Sequence, residues 1–260
     1  MKKGICIGSL PGGMGVLDKF KLAKEAGFDG IEPGTLQTDE NLLEVKYAAT
    51  ETGLQITSIM NMAHWSSPFS SADPAEVQKG LDGARRSIEC ASALGAGAVL
   101  IVPAVVNEGV TYEEAYARSQ EQIKKLLPMA AEKKIVIAIE NVWNKFLLSP
   151  IEFARYIDEF NSPWAKAYFD VGNILLYGFP QHWIKSLGTR IARIHLKDFK
   201  VGPKSFVNLT EGDLNWSAVM AALKSIGYEG YLTAEVGVVK EDPVGGVHKL
   251  SRTMDKILAM

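Results

Sequence analysis

Short apolar runs alternate eight times with longer amphipathic segments along this chain, and no other feature restricts its fold so strongly. The runs, rich in Ile, Val and Ala, span 4–8, 28–32, 54–61, 97–102, 135–140, 167–170, 191–196 and 230–235. They lack the apolar–polar alternation of a half-exposed sheet, so they read as parallel strands covered on both faces. Helices are predicted between and after them, near 16–27, 39–53, 74–94, 112–132, 150–160, 180–188, 215–227 and 243–259.

Local chemistry supports the helix boundaries. Thr38, Asp73 and Ser149 each stand where a side-chain oxygen can cap a helix, followed by an acidic first turn or by proline. Gly27, Gly53, Gly95 and Gly227 fall where helices should end and can take the left-handed backbone that closes them. With 260 residues, each βα unit has about 32, the usual length for a (β/α)8 barrel. An open doubly wound sheet is the competing arrangement, but no GxGxxG or GxxxxGK[ST] motif follows the first strand. Gly12-Gly13-Met14-Gly15 lacks that spacing and reads as a flexible loop. No linker or composition shift divides the chain, so residues 1–260 are expected to form a single α/β domain, a (β/α)8 TIM barrel.

Composition narrows the function. The net charge is −2, which offers no broad attraction to nucleic acid or to an acidic membrane surface. No run of eighteen apolar residues exists to cross a membrane, and Pro11-Gly12-Gly13 interrupts the N-terminal apolar run too early for a signal peptide. A soluble cytoplasmic protein is expected. Cys6 and Cys90, the only cysteines, lie far apart in apolar contexts and are expected to be buried free thiols.

In a parallel barrel, the C-terminal ends of all strands converge on one mouth. The last four predicted strands each carry a metal-capable group there: Glu140, Asp170, His195 and Glu235. Taken singly, each has an ordinary structural explanation, such as a turn at Asp170 or a satisfied core imidazole at His195. Together, three carboxylates and an imidazole form an oxygen-rich set suited to Mn²⁺, Mg²⁺ or Co²⁺, with Zn²⁺ also compatible.

The phrases ENVWNKFLLSP (140–150), YFDVGNILLYG (168–178), RIHLKDF (193–199) and LTAEV (232–236) resemble the sugar phosphate isomerase/epimerase superfamily. These are xylose-isomerase-like TIM barrels, related to L-ribulose-5-phosphate 3-epimerase, D-tagatose 3-epimerase, inosose dehydratase and endonuclease IV. The resemblance implies that Glu140, Asp170, His195 and Glu235 bind one divalent cation, and that Glu140 and Glu235 also act as acid and base on opposite faces of the substrate. Asn173 departs from the ketose 3-epimerase pattern, where a histidine typically stands three residues after the metal-binding aspartate. An amide can still hydrogen-bond a hydroxyl, but it carries no charge. The endonuclease arrangement needs several more histidines than His64, His182, His195 and His248, and His182 and His248 fall on predicted helices.

Other residues are expected at the mouth. Glu32 ends the second strand and His64 follows the third, so both are candidates to contact substrate hydroxyls; each also has a purely local reading, as turn or backbone-bonded residue. Trp143 offers an apolar face to a sugar ring or a plug over the barrel, with Asn141 and Asn144 as polar neighbours, and Trp65 has the same two readings. Strand alternation puts Lys197 on the face of His195, within reach of a substrate oxyanion or the metal-site carboxylates. Asp198 is a candidate to orient a ligand. Lys200 and Lys204 either approach a phosphate or solvate a long loop.

The reaction expected from this set is proton abstraction next to a carbonyl, returned to the opposite face in an epimerase or to the adjacent carbon in an isomerase. A metal-dependent lyase or dehydratase acting on a keto-sugar or inosose needs the same ligands and is the rival enzyme. A non-catalytic sugar-binding barrel leaves the four-ligand set without a purpose. A small sugar or sugar phosphate is the expected partner, with a homo-oligomer compatible with the sequence.

Overall fold

A computed structural model describes residues 1–260. Nine hydrogen-bonded strand segments run in the order β3-β2-β1-β11-β8-β7-β6-β5-β4, and every pairing among them is parallel. The segments at the two ends of that order, β3 (Gln55–Ile56) and β4 (Ile59–Met60), are halves of one interrupted strand. The sheet therefore closes into a barrel of eight strands.

The remaining staves are β1 (Lys2–Cys6), β2 (Gly30–Glu32), β5 (Ala98–Ile101), β6 (Val136–Glu140), β7 (Ala165–Asp170), β8 (Ile191–Leu196) and β11 (Tyr231–Ala234). All eight predicted strands and all eight predicted helices are present, most within two residues of their expected ends. The helices are α1 (Val16–Glu25), α2 (Asp39–Thr52), α3 (Pro74–Leu94), α4 (Tyr112–Lys133), α5 (Pro150–Asp158), α7 (Pro180–Leu187), α8 (Trp216–Ser225) and α9 (Pro243–Leu258). Thr38, Asp73 and Ser149 cap α2, α3 and α5 by accepting from backbone N–H groups. Gly27, Gly53, Gly95 and Gly227 all have positive φ.

Four features were not foreseen. The first strand stops at Cys6, and Ile7–Ser9 turn as a 3-10 helix. The third strand breaks at Thr57-Ser58, where the Thr57 carbonyl accepts a hydrogen bond from Arg193 Nε at 2.9 Å and Ser58 Oγ donates to Glu32. The long segment after β8 folds into a hairpin of β9 (Asp198–Lys200) and β10 (Ser205–Val207). A one-turn helix, α6 (Val171–Ile174), also follows β7 directly.

Burial explains why the strand runs carry no alternation. Side chains on the outer face of the sheet join a 60-residue apolar cluster under the helices. The inner face is partly apolar as well: Ala98, Leu100, Ala138 and Tyr168 form a separate buried group inside the barrel. The rest of the interior is polar, and strand spacing there is tight. A Cβ on Gly30 would sit 2.6 Å from the Gln55 carbonyl oxygen and 2.7 Å from Thr57 Cγ2. Backbone cannot yield cheaply to such a contact, so Gly30→Ala is expected to cost about 1–3 kcal/mol by urea unfolding. Gly12→Ala, where nothing lies within 4 Å, is expected to change stability by less than about 0.5 kcal/mol.

Candidate active site

Four strand ends build the site. Glu140 closes β6, Asp170 closes β7, His195 is the penultimate residue of β8, and Glu235 follows β11 directly. Their ligand atoms lie within 4.8 Å of one another. His195 Nδ1 is 2.9 Å from Glu140 Oε1 and 3.0 Å from Glu235 Oε2. Lys197 reaches over the same group, with Nζ 2.8 Å from Glu235 Oε2 and 3.3 Å from Asp170 Oδ2.

The DVGN turn after β7 explains the rigidity of one side. Asp170 Oδ1 accepts from the Asn173 backbone N–H at 2.8 Å and caps α6. Asn141 bonds both the N–H and the carbonyl of Asp170, each at 2.8 Å. Gly172 allows Lys197 to pass: an added Cβ would lie 2.6 Å from Lys197 Cβ and 2.8 Å from its carbonyl oxygen. Asp170 Oδ2 is left buried without a hydrogen-bond donor. The Lys197 ammonium at 3.3 Å is the one cation facing it, and a single ammonium does not balance three gathered carboxyls, so the donor set fits one divalent ion.

Electrostatics divides the two glutamates. Burial pushes the Glu140 carboxyl up to about 7, against the pull of His195 and Lys197. Burial also acts to raise Glu235, but His195 and Lys197 outweigh it and hold that carboxyl at about 2. Burial and the neighbouring Glu235 hold Asp170 above its ordinary value in spite of Lys197.

The remaining predicted residues divide into two groups. Trp143 stands at the mouth, 42 % exposed, its indole N–H donating to the Asn173 carbonyl at 2.9 Å. Its ring stacks on Phe206 of the hairpin with centroids 4.9 Å apart. His64 is buried, accepts from the Val102 N–H at 3.4 Å, and burial pushes it down to about 4. Trp65 packs edge-on against it and is exposed.

Glu32 and Asn173 both have polar atoms engaged within the protein. Glu32 lines the cleft beside His195, with both oxygens occupied by barrel side chains. The Asn173 amide is used as a brace, donating to the Asn141 carbonyl at 2.9 Å. Asp198 turns away from the ligand cluster into the following loop, where it accepts from the N–H groups of Phe199, Thr210, Gly212 and Leu214 and from the Trp216 indole. Lys200 and Lys204 are exposed on the hairpin, while His182 is exposed on α7 and His248 half-buried on α9.

Sequence reasoning did not find Phe206, which completes an aromatic wall with Trp143 and Phe199. Nor did it find Cys6, Ser58 and Tyr168 as partners of Glu32. The signal for these three was the inward parity of their strands: Glu32 sits in register with Cys6 across the β1–β2 pair. A cleft of about 1140 Å³ opens beside Lys197 and Glu235, walled by Leu36, Met62, Phe206 and Val238 among others. No helix is long and apolar enough to cross a membrane.

These features define a class of protein: a closed parallel barrel whose C-terminal rim gathers three carboxylates, an imidazole and a lysine about a position fit for one cation. The chain belongs to the xylose isomerase-like TIM barrel family, whose model matches residues 20–256. It is 28% identical to the L-ribulose-5-phosphate 3-epimerase UlaE of Escherichia coli O1:K1 / APEC, over 95% of this chain and 91% of that protein. Among solved structures it is similar to the apo form of the 3-keto-D-glucoside 4-epimerase YcjR from E. coli, with a TM-score of 0.84, 19% identity and full coverage of both chains. It is also similar to a D-allulose 3-epimerase from Methylomonas sp. in complex with D-allulose, with a TM-score of 0.82, 21% identity, and coverage of 100% of this chain and 96% of that one.

Cation binding at these four side chains has a direct measurement. Mn²⁺ at about a hundred times its Kd is expected to stabilise the protein by about 2.7 kcal/mol, raising Tm by about 5–10 °C. Asp170→Asn and His195→Ala are expected to lose that rise in a thermal melt while keeping a folded, metal-free barrel.

Proposed function

We propose that this chain is a divalent-metal-dependent sugar epimerase, inverting a carbon next to the carbonyl of a ketose or ketose phosphate, with Glu140 and Glu235 moving the proton. The observation that carries the reading is the pair of glutamates from two strands held apart by β7 and β8, β6 and β11, each about 3 Å from the same imidazole nitrogen. The names of the relatives support it, since UlaE and both solved neighbours are sugar epimerases.

A divalent ion bound by Glu140, Asp170, His195 and Glu235, Mn²⁺, Mg²⁺ or Co²⁺ before Zn²⁺, would supply positive charge where the substrate oxygens become negative. One glutamate takes the proton from the carbon beside the carbonyl, and the electron pair moves onto the carbonyl oxygen to give an enediolate. The other glutamate delivers a proton to the opposite face, and the carbonyl re-forms with the configuration inverted. Lys197 holds its ammonium between Asp170 and Glu235, and so fixes the Glu235 carboxylate in place. His64, kept neutral by burial, and Trp143 at the mouth are suited to contact substrate hydroxyls and ring. Residues 1–260 are read as one catalytic domain acting on a small sugar in the cytoplasm.

Turnover of L-ribulose, L-ribulose 5-phosphate and D-allulose in D₂O with Mn²⁺ tests the reaction. The expected product is the epimer, one deuteron heavier at the inverted carbon and with every hydroxyl retained. A product that has lost water would replace the epimerase by a dehydratase on the same site. Glu140→Gln and Glu235→Gln are each expected to lower kcat by about 10²–10⁴-fold.

A further inference from the structure

Beside the ligand cluster, on the far side of the His195 ring from Glu140 and Glu235, Glu32 is enclosed by donors from four strands. Its Oε2 receives His195 Nε2 at 2.6 Å and Cys6 Sγ at 3.1 Å. Its Oε1 receives Ser58 Oγ at 2.6 Å and Tyr168 OH at 2.9 Å. The carboxylate is 1% exposed and His195 is fully buried, so water competes for none of these bonds. An acceptor-only group facing Nε2 requires the proton to be on Nε2. Nδ1 faces Glu140 and Glu235, two of the other members of the ligand set, so it is the nitrogen that a cation held among them would meet once it displaces the proton there.

We infer that Glu32 is the positioning residue of the metal site: by accepting from His195 Nε2–H it fixes the ring's tautomer and orientation so that Nδ1 faces the cation. The role rests on the metal reading above and goes beyond the ligand set. With both oxygens taken by barrel side chains, Glu32 acts through His195, as outer carboxylates commonly do for metal-binding histidines. The other three donors serve Glu32 itself. Ser58 owes its inward position to the break in the third strand, and the close β1–β2 pairing brings Cys6 alongside. An imidazole with no such anchor could rotate about its Cβ–Cγ bond and present a protonated nitrogen to the cluster.

The test uses the full-length protein with Mn²⁺ as probe and two variants. In Glu32→Gln the amide oxygen can still accept from Nε2–H, while Ser58 and Tyr168 reverse their hydroxyls to accept from the amide. In Glu32→Leu no acceptor remains. Mn²⁺ affinity, followed by the electron paramagnetic resonance of free Mn²⁺, is expected to fall about 10-fold in Glu32→Gln and about 100-fold in Glu32→Leu. Metal-saturated Glu32→Gln is expected to keep kcat within about threefold of the parent.

Nitrogen-15 NMR of the proteins loaded with diamagnetic Mg²⁺ reads the tautomer independently: His195 is expected to carry its proton on Nε2 in the parent and in Glu32→Gln, and to lose that preference in Glu32→Leu. Unchanged Mn²⁺ affinity in both variants, or a Glu32→Gln protein that loses metal only because its metal-free form unfolds, would overturn the assignment. A parent protein that binds no Mn²⁺ yet still keeps a proton on His195 Nε2 against Glu32 would refute the metal reading alone, because the anchoring of His195 by Glu32 would stand.

Discussion

His195 occupies the centre of the barrel mouth with carboxylates on both ring nitrogens, and most of the polar interior is arranged about it. One carboxylate, Glu32, comes from β2 and meets Nε2. Glu140 and Glu235 come from β6 and β11 and lie beyond the ring. A buried imidazole between acids is stable only when every neighbour's hydrogen bonding is settled. That requirement accounts for Tyr168, Ser58 and Cys6 around Glu32, and for Lys197 across Asp170 and Glu235. It also accounts for the small inner residues, since a barrel filled with large aliphatic side chains would leave no volume for this network.

Much of the architecture was legible because its causes are local. Period, capping oxygens and helix-ending glycines depend on residues a few positions apart, so helices such as α3 (Pro74–Leu94) agree with expectation to the residue. The ligand quartet was legible for a different reason: strand ends of a parallel barrel share one rim, so position along the strand stands in for position in space. Lys197 followed from strand alternation with His195.

What the sequence did not disclose depends on contacts between distant segments. Glu32 ends its strand as a rim residue should, yet both its oxygens are taken by Cys6, Ser58, Tyr168 and His195, residues from distant segments. Asn173 looked like a substitute for a substrate-binding histidine, but its amide is consumed by the Asn141 carbonyl, thirty-two positions away. The hairpin of β9 and β10 was hidden because its lysines and glycine read as a solvated loop. Only the facing of Phe199 and Phe206 across three paired residues reveals a strand pair there.

The carboxylate of Asp198 gathers four backbone N–H groups and one indole N–H from residues 199–216. A loop tied in this way has already surrendered its conformational entropy during folding. Phe206, carried on that loop and stacked against Trp143, therefore waits in a fixed position before any ligand arrives. Ordering a wall of the binding cleft would otherwise be charged against affinity at each encounter. Here the cleft can exchange small, weakly held sugars quickly, because their arrival and departure need not assemble and dismantle the surface that receives them.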